Sequence, residues 1–369
     1  MKLTIAKEQI INGLQAVQNI VGTRSTLPAL SNVLLRAGDS ALDLTATDLD
    51  VTISARVEAG VQDAGVTTVP VKRLFGIVRE LPVQEIEIES DDRHGLIVRA
   101  GGCYYRIHGL APEEFPPLPQ IAEDKRILLP QSKVKSMLRK TSYAISNDEA
   151  RYVLNGIFFS IKEHKVTMVA TDGRRLALAE EDVDVPINSQ SEFIVPTKAI
   201  NELSRLLQST GDVEIRCGSN QVAFQLQMDQ KNSAVLVTKL IEGNYPNFRQ
   251  VIPAESKERI TLVREELLQS LKRAEIMTSD KANSVKLTFG RNNLAITANS
   301  PDVGEARESL AINYRGPEMA IAFNPGFMMD PLKVLENDEV FLEVSDELSP
   351  AVMKINGPFL YVIMPMRTN

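Results

Sequence analysis

Tryptophan is absent from the chain, and its 369 residues include only two cysteines and three histidines. Each scarcity removes a class of function. Cys103 and Cys217 lie far apart with no Cys-x-x-Cys pair, which fits a reducing compartment and reads each as a structural thiol. His94, His108 and His164 are isolated, without ligand spacing, and read as strand or turn residues rather than metal ligands or general bases. No Gly-x-x-x-x-Gly-Lys-Ser/Thr loop is present and no Gly-x-Gly-x-x-Gly follows a strand, so no nucleotide site is expected. A run of about 18 apolar residues is also missing, which excludes a spanning helix. The opening "MKLTIAKEQIINGLQ" has Lys7 and Glu8 where a signal peptide needs an apolar core. These absences predict a soluble cytoplasmic protein that is not an enzyme and carries neither metal nor cofactor.

What the sequence does have is repetition. The stretch "LTATDLDVT" (44–52) returns as "VATDGRRLA" (169–177) and, worn, as "ITANSPDVG" (296–304). The offset of 124 that aligns these first two turns also aligns "KLTIAKEQIINGL" (2–14) with "RILLPQSKVKSML" (126–138), and "RITLVREELLQSL" (259–271) matches both. A later block recurs as "VPVKRLFGIVREL" (69–81), "VPTKAINELSRLL" (195–207) and "AFNPGFMMDPLKVL" (322–335). A period this long makes each repeat a domain rather than a solenoid unit. Asp48 and Asp172 recur with the turn. Asp caps turn backbone and Gly accepts positive φ, so both read as turn residues before metal ligands.

Each repeat reads as strand, helix, strands, helix, strands. Ile10, Leu14 and Val17 keep helical spacing, as do Val134, Leu138 and Ile145 in the second copy, while "DVEIRC" (212–217) and "EVFLEV" (339–344) alternate as strands. Prolines cluster near 116–125 and 246–257, so three domains are expected at 1–120, 126–250 and 254–369. The predicted class is α+β: three tandem copies of one domain, each with two helices backed by antiparallel β-sheets. The net charge of −7 argues, taken alone, against nucleic acid. The six helical windows nevertheless hold fourteen Lys and Arg against seven Asp and Glu. Lys and Arg are good helix formers on solvated faces, but Glu is equally good and scarce here. A basic helix layer on an acidic chain points to a polyanion facing the helices. Lys72, Arg73, Lys133, Lys135, Lys198 and Lys272 are the helix-face candidates for duplex DNA.

With "RYVLNG" (151–156), "ATDGRRLA" (170–177), "YPNFRQVIP" (245–253) and the terminal "YVIMPMR" (361–367) in order, the whole chain resembles the bacterial beta sliding clamps, processivity factors of the replicative polymerase. The resemblance implies a head-to-tail homodimer whose six domains form a ring around duplex DNA. Helix packing agrees: at about 8–10 Å between axes, six helices enclose a circle only about 17 Å across, and twelve about 34 Å. Subtracting about 10 Å of helix thickness leaves roughly 24 Å clear for the dimer and no room for a duplex in a closed monomer. The resemblance also implies a pocket for short peptides with Leu and Phe anchors. Its walls would be Leu154, Thr171, Gly173, Arg174, Arg175 and Leu176 from the second repeat, with Pro246 and Val251 from that repeat's tail. The third repeat would add Asn324, Phe327, Val362, Met364, Pro365, Met366 and Arg367. Methionines re-pack around varied apolar anchors, and arginines bind acidic or carbonyl groups at a rim.

By the same resemblance, Arg24 and the loop "SNDEAR" (146–151), with Asn147 and Asp148, face DNA. The dimer seam joins Tyr105 and Ile107 of "CYYRIHGL" (103–110) to Ile276 and Met277 of "RAEIM" (273–277). Implied partners are the replicative polymerase catalytic subunit, an ATP-dependent clamp loader, and other polymerases and repair proteins, in a cytoplasmic, nucleoid-associated setting without membrane. Arg174 stands where the family often has His, and Gln250 where it often has Arg, which weakens a preference for acidic peptides. Two other readings stay open on the residues alone. One is a repeat-domain scaffold that binds no DNA. The other is an enzyme acting on a phosphorylated substrate through Arg174 and Arg175, with Asp172 as its only nearby base.

Overall fold

The computed structural model describes residues 1–22, 27–119, 125–183, 190–280 and 283–367. Among them are six α-helices, the first five entered directly from a strand and the sixth after the single residue Asn324: α1 (Lys7–Val17), α2 (Val71–Glu80), α3 (Gln131–Thr141), α4 (Thr197–Leu206), α5 (Arg264–Glu275) and α6 (Pro325–Val334). Proline ends the preceding strand at Pro70, Pro130 and Pro196. It has no N–H for a further ladder bond, so the chain leaves the sheet there. The first residue of each repeat's first helix is fixed the same way three times. Its backbone N–H donates to a carbonyl just after the repeat's second helix: Lys7 to Gln84 at 2.7 Å, Gln131 to Gly211 at 2.9 Å, Arg264 to Asp338 at 2.8 Å. Its side chain repeats the clasp, Lys7 Nζ donating to the Leu81 carbonyl at 2.5 Å and Arg264 Nη1 to that of Leu332 at 2.9 Å. One expectation fails locally. The helix of the second copy stops at Thr141, whose hydroxyl donates to the Met137 carbonyl, and Ile145 follows a 3-10 turn instead of extending the apolar face.

Contacts group the chain into two compact units, Met1–Lys135 with Lys198–Ile241, and Ser136–Thr197 with Glu242–Asn369. The first unit holds a five-stranded sheet that ends at Cys103–Ile107, and an eight-stranded antiparallel sheet. In the latter, Ser233–Lys239 from the second repeat pairs with Val51–Glu58 from the first, Leu236 lying opposite Ile53. Ile10, Leu14 and Val17 of α1 are fully buried in this unit. The second unit is built alike. Its eight-stranded sheet joins Arg175–Asp182 of the second repeat to Phe359–Ile363 of the third, with Ala177 opposite Tyr361. Its four-stranded sheet ends at Gly304–Ala311. Strands of each repeat therefore pair with strands of the next, and residues 126–250, expected as one domain, are shared between the two units. The tandem α+β architecture is as expected.

Candidate functional site

The duplicated turn is one hydrogen-bonded structure in its first two copies. In the second, Asp172 Oδ1 accepts from the N–H groups of Arg174 and Arg175 at 2.9 and 3.0 Å, and the Thr171 hydroxyl donates to the Arg175 carbonyl. In the first, Asp48 Oδ1 accepts from Asp50 and Val51 at 3.0 and 2.7 Å, and the Thr47 hydroxyl donates to the Val51 carbonyl. The apex needs a left-handed backbone, φ +84° at Gly173 and +81° at Leu49. A Cβ at Gly173 would also lie 2.6 Å from Arg151 Nη1, so that flexible side chain would have to move aside. Both aspartates are thus engaged in holding the turn.

Arg175 is a clasp rather than a rim cation. Its side chain is only 10% exposed. Nε donates to Asp172 at 3.1 Å, Nη1 to Asp330 of α6 at 2.5 Å and Nη2 to the Tyr143 carbonyl at 2.5 Å. The guanidinium also lies over the Phe327 ring at 4.2 Å. Burial works against its charge, and the surrounding Tyr361, Asp330 and Asp172 outweigh that, so its pKa rises. Asn324 has a matching structural task, capping α6 by accepting from the Phe327 N–H at 3.0 Å. Phe327 is thereby set beneath Arg175.

The apolar floor beside this clasp comprises Val169, Leu176, Val352 and Val362, against which Phe158, Leu178, Tyr245, Phe248, Ile252 and Leu360 pack. Tyr245 stacks on Phe158 with centroids 5.0 Å apart, and burial pushes its phenol well up from the ordinary range. Beyond Ile363 the Met364 N–H extends the ladder by donating to the Arg174 carbonyl at 2.9 Å, and the Met366 N–H crosses to the Ala322 carbonyl of Met319–Phe323 at 2.7 Å. Leu154, Leu176 and Val362 are buried, so they form floor rather than contact surface. Met364 is 44% exposed, Met366 38% and Val251 50%. Gly173, Arg174, Pro246 and Arg367 are exposed, while Thr171 and Pro365 are half-buried. Of the predicted pocket residues, Leu176 and Val362 lie in this apolar floor, Phe327 lies under Arg175, and Met364 is tied to Arg174 through the backbone. Sequence reading passed over Asp330, Tyr143, Tyr361 and the aromatic pair Tyr245 and Phe248. The last two stand in the quoted "YPNFRQVIP" tail, where two aromatics three residues apart among prolines are the available signal.

The remaining predicted residues divide. Arg24 lies outside the described residues. Lys72, Arg73 and Lys272 are exposed on their helices and Lys133 is half-buried. Lys135 Nζ donates to the Leu207 carbonyl at 2.9 Å, and Lys198 forms an ion pair with Asp48. These two cations are committed within the chain. Asn147 is exposed, whereas Asp148 caps the 3-10 turn Glu149–Leu154 by accepting from the Ala150 N–H. A bond from Arg151 and that cap hold its carboxyl below the usual range. At the predicted seam Tyr105 is 41% exposed and Ile276 73%, but Ile107 is buried in its own unit. Tyr104, not foreseen, is also well exposed. Among the described residues no three His, Cys, Asp or Glu side chains gather as metal ligands would.

Family models for the N-terminal, central and C-terminal domains of the DNA polymerase III beta subunit match residues 1–119, 128–247 and 249–367. The beta sliding clamp of Chlamydia pneumoniae is 35% identical over 367 residues, covering 100% of this chain and 99% of that protein. The DNA polymerase sliding clamp of Bacillus subtilis has a TM-score of 0.94 at 29% identity, with both chains covered in full. A sliding clamp (DNA polymerase III subunit beta) from Pseudomonas aeruginosa, bound to griselimycin, also reaches 0.94, at 32% identity and full coverage of both chains.

Proposed function

Because the chain belongs to the DNA polymerase III beta subunit family, the sliding clamps of DNA replication, we propose that two copies close head to tail into a ring that holds duplex DNA topologically and tethers the replicative polymerase. One observation carries this reading. Within the chain, the outer strand of a repeat's first sheet portion pairs with the last strand of the following repeat, Val51–Glu58 with Ser233–Lys239 and Arg175–Asp182 with Phe359–Ile363, which leaves one strand of each kind unmatched: Gly304–Ala311 and Cys103–Ile107. In the ladders, Tyr105 occupies the position of Leu236 and Tyr361, each opposite its neighbour at Val98, Phe224 and Met353 respectively. Ala306 likewise occupies the position of Ile53 and Ala177. Leu236, Tyr361, Ile53 and Ala177 are all fully buried, while Tyr105 is 41% exposed. An open edge of this kind invites a strand from another chain. The internal register, transferred to a second copy, sets Tyr105 opposite the partner's Ala306 and Arg106 opposite the partner's Glu305.

The pocket beside Arg175 would take short peptides with apolar anchors from the polymerase, the clamp loader, and other polymerases and repair proteins. A relative crystallised with griselimycin supports a ligand site in clamps of this family. Leu176, Val362 and Phe327 give the anchors an apolar bed, and Met364, Met366, Arg174 and Arg367 adapt to what lies around them. The protein serves as an accessory subunit without its own active site, working in the cytoplasm on the nucleoid. A nucleotide-using loader must open the ring. The test is topological. Protein loaded onto a circular duplex should stay bound until the circle is cut and then leave by its ends. Retention unchanged by cutting overturns the ring.

A further inference from the structure

We propose that Arg79 locks the dimer seam by capping the C-terminus of the partner's α5, an assignment that rests on the head-to-tail dimer reading above. The warrant is internal. Arg205, ninth of the ten residues of α4, sends Nη1 to the Gln15 carbonyl at 2.8 Å and Nη2 to the Ala16 carbonyl at 2.7 Å. These carbonyls lie in the last turn of α1, where unpaired C=O groups and the negative end of the helix dipole attract a cation. The second unit does the same in reverse: Arg139 in the last turn of α3 donates to the Val334 carbonyl ending α6 at 2.9 Å. A last-turn arginine thus caps the facing helix beside each internal sheet junction.

The seam would be the third such junction, flanked by α2 and the partner's α5. Arg79 is the ninth of ten residues in α2, the position of Arg205, in the duplicated segments "VKRLFGIVRE" and "TKAINELSRL". The alignment of α1 with α5 puts the partner's Lys272 and Arg273 carbonyls where Gln15 and Ala16 stand. One difference sharpens the case. Arg205 is braced by Glu202 three residues before it, through Nε at 3.0 Å. The same place in α2 is Gly76, and Arg79 has only its adjacent Glu80 at 2.9 Å and the Phe75 ring at 5.9 Å. Its side chain is 63% exposed in the single chain, and its guanidinium is a bidentate donor with no helix end to cap. Lys272 holds the position of Arg139, so in the dimer it faces the end of α2 rather than the duplex.

Arg79→Ala should raise the dimer dissociation constant at least tenfold, about 1.4 kcal/mol, in sedimentation or subunit-exchange measurements, with the circular dichroism spectrum unchanged. Arg79→Lys, which keeps charge but loses the planar fork, should fall between wild type and alanine. Arg205→Ala, the internal counterpart, should lower the melting temperature and leave dimerisation alone. A dimeric wild type with Arg79→Ala equally tight overturns the Arg79 assignment and spares the dimer. A monomeric wild type overturns both.

Discussion

Arg175 and the methionines of the tail show how differently neighbouring residues can serve one pocket. Arg175 puts three donors on Asp172, Asp330 and the Tyr143 carbonyl from an almost closed environment. Removing this buried cation leaves Asp172 with only its backbone donors and Asp330 with only Lys333, which costs on the order of 3 kcal/mol. Met364 and Met366 are largely exposed, with nothing comparable depending on them. Arg175→Ala should therefore lower both the melting temperature and peptide affinity. Met364→Ala with Met366→Ala should leave the melt unchanged and weaken a Leu-Phe-ended peptide roughly tenfold or more. Calorimetry alongside thermal denaturation separates the cases. Equal loss of stability in both variants would show that the methionines are core, and unchanged peptide affinity in the methionine variant would show that the pocket lies elsewhere. At this scale the sequence disclosed identity better than role. "ATDGRRLA" pointed to the turn, yet only the fold shows that the second arginine faces inward, because Asp330 and Tyr143 stand 155 and 32 residues away. The base that phosphate chemistry through the Arg-Arg pair would need is engaged elsewhere: Asp172 accepts from two backbone N–H groups and from Arg175 itself.

Among the elements, helices were legible because their 3.6-residue period is local, and the six windows agree with α1–α6 to within a few residues. Strand existence was legible too, with "DVEIRC" and "EVFLEV" matching Asp212–Cys217 and Glu339–Val344. Strand partners were not. Alternation says which face a side chain takes and nothing about which chain lies alongside, so pairing between successive repeats stayed hidden. The same gap explains Ile107. Sequence put it with Tyr105 at the seam, but it lies opposite Leu96 and is covered by its own unit, whereas Tyr105 is left bare. Tyr105→Asp should then act on assembly and not on folding. A carboxylate buried unpaired at each seam costs about 3 kcal/mol or more, so the variant should sediment as a monomer at concentrations where wild type is dimeric, with an unchanged spectrum. A fully dimeric Tyr105→Asp would move the seam to other edges.

Over the whole molecule, charge and topology make opposite demands, and salt distinguishes them. A protein that grips phosphates releases counterions, and its affinity falls with salt at a slope of about −0.9 per phosphate contact. This chain is poorly made for that. Its total is −7, its helix surplus is modest, and proposed helix cations are already engaged, Lys135 with the Leu207 carbonyl and Lys198 with Asp48. Direct binding to linear duplex should accordingly be weak and should vanish as ionic strength rises through the physiological range, where the Debye length is about 8 Å. A closed ring on a circle escapes only by opening a seam. The proposed seam would bury Tyr105 and pair backbone with backbone, interactions that added salt leaves standing even where it weakens the charged contacts of Arg79 and Arg106. The fraction retained on circular DNA across a salt series should therefore stay nearly flat while linear binding collapses. It should fall only at salt concentrations that also dissociate the free dimer. Parallel loss from circle and linear duplex would mean that cations, not closure, hold the protein to DNA.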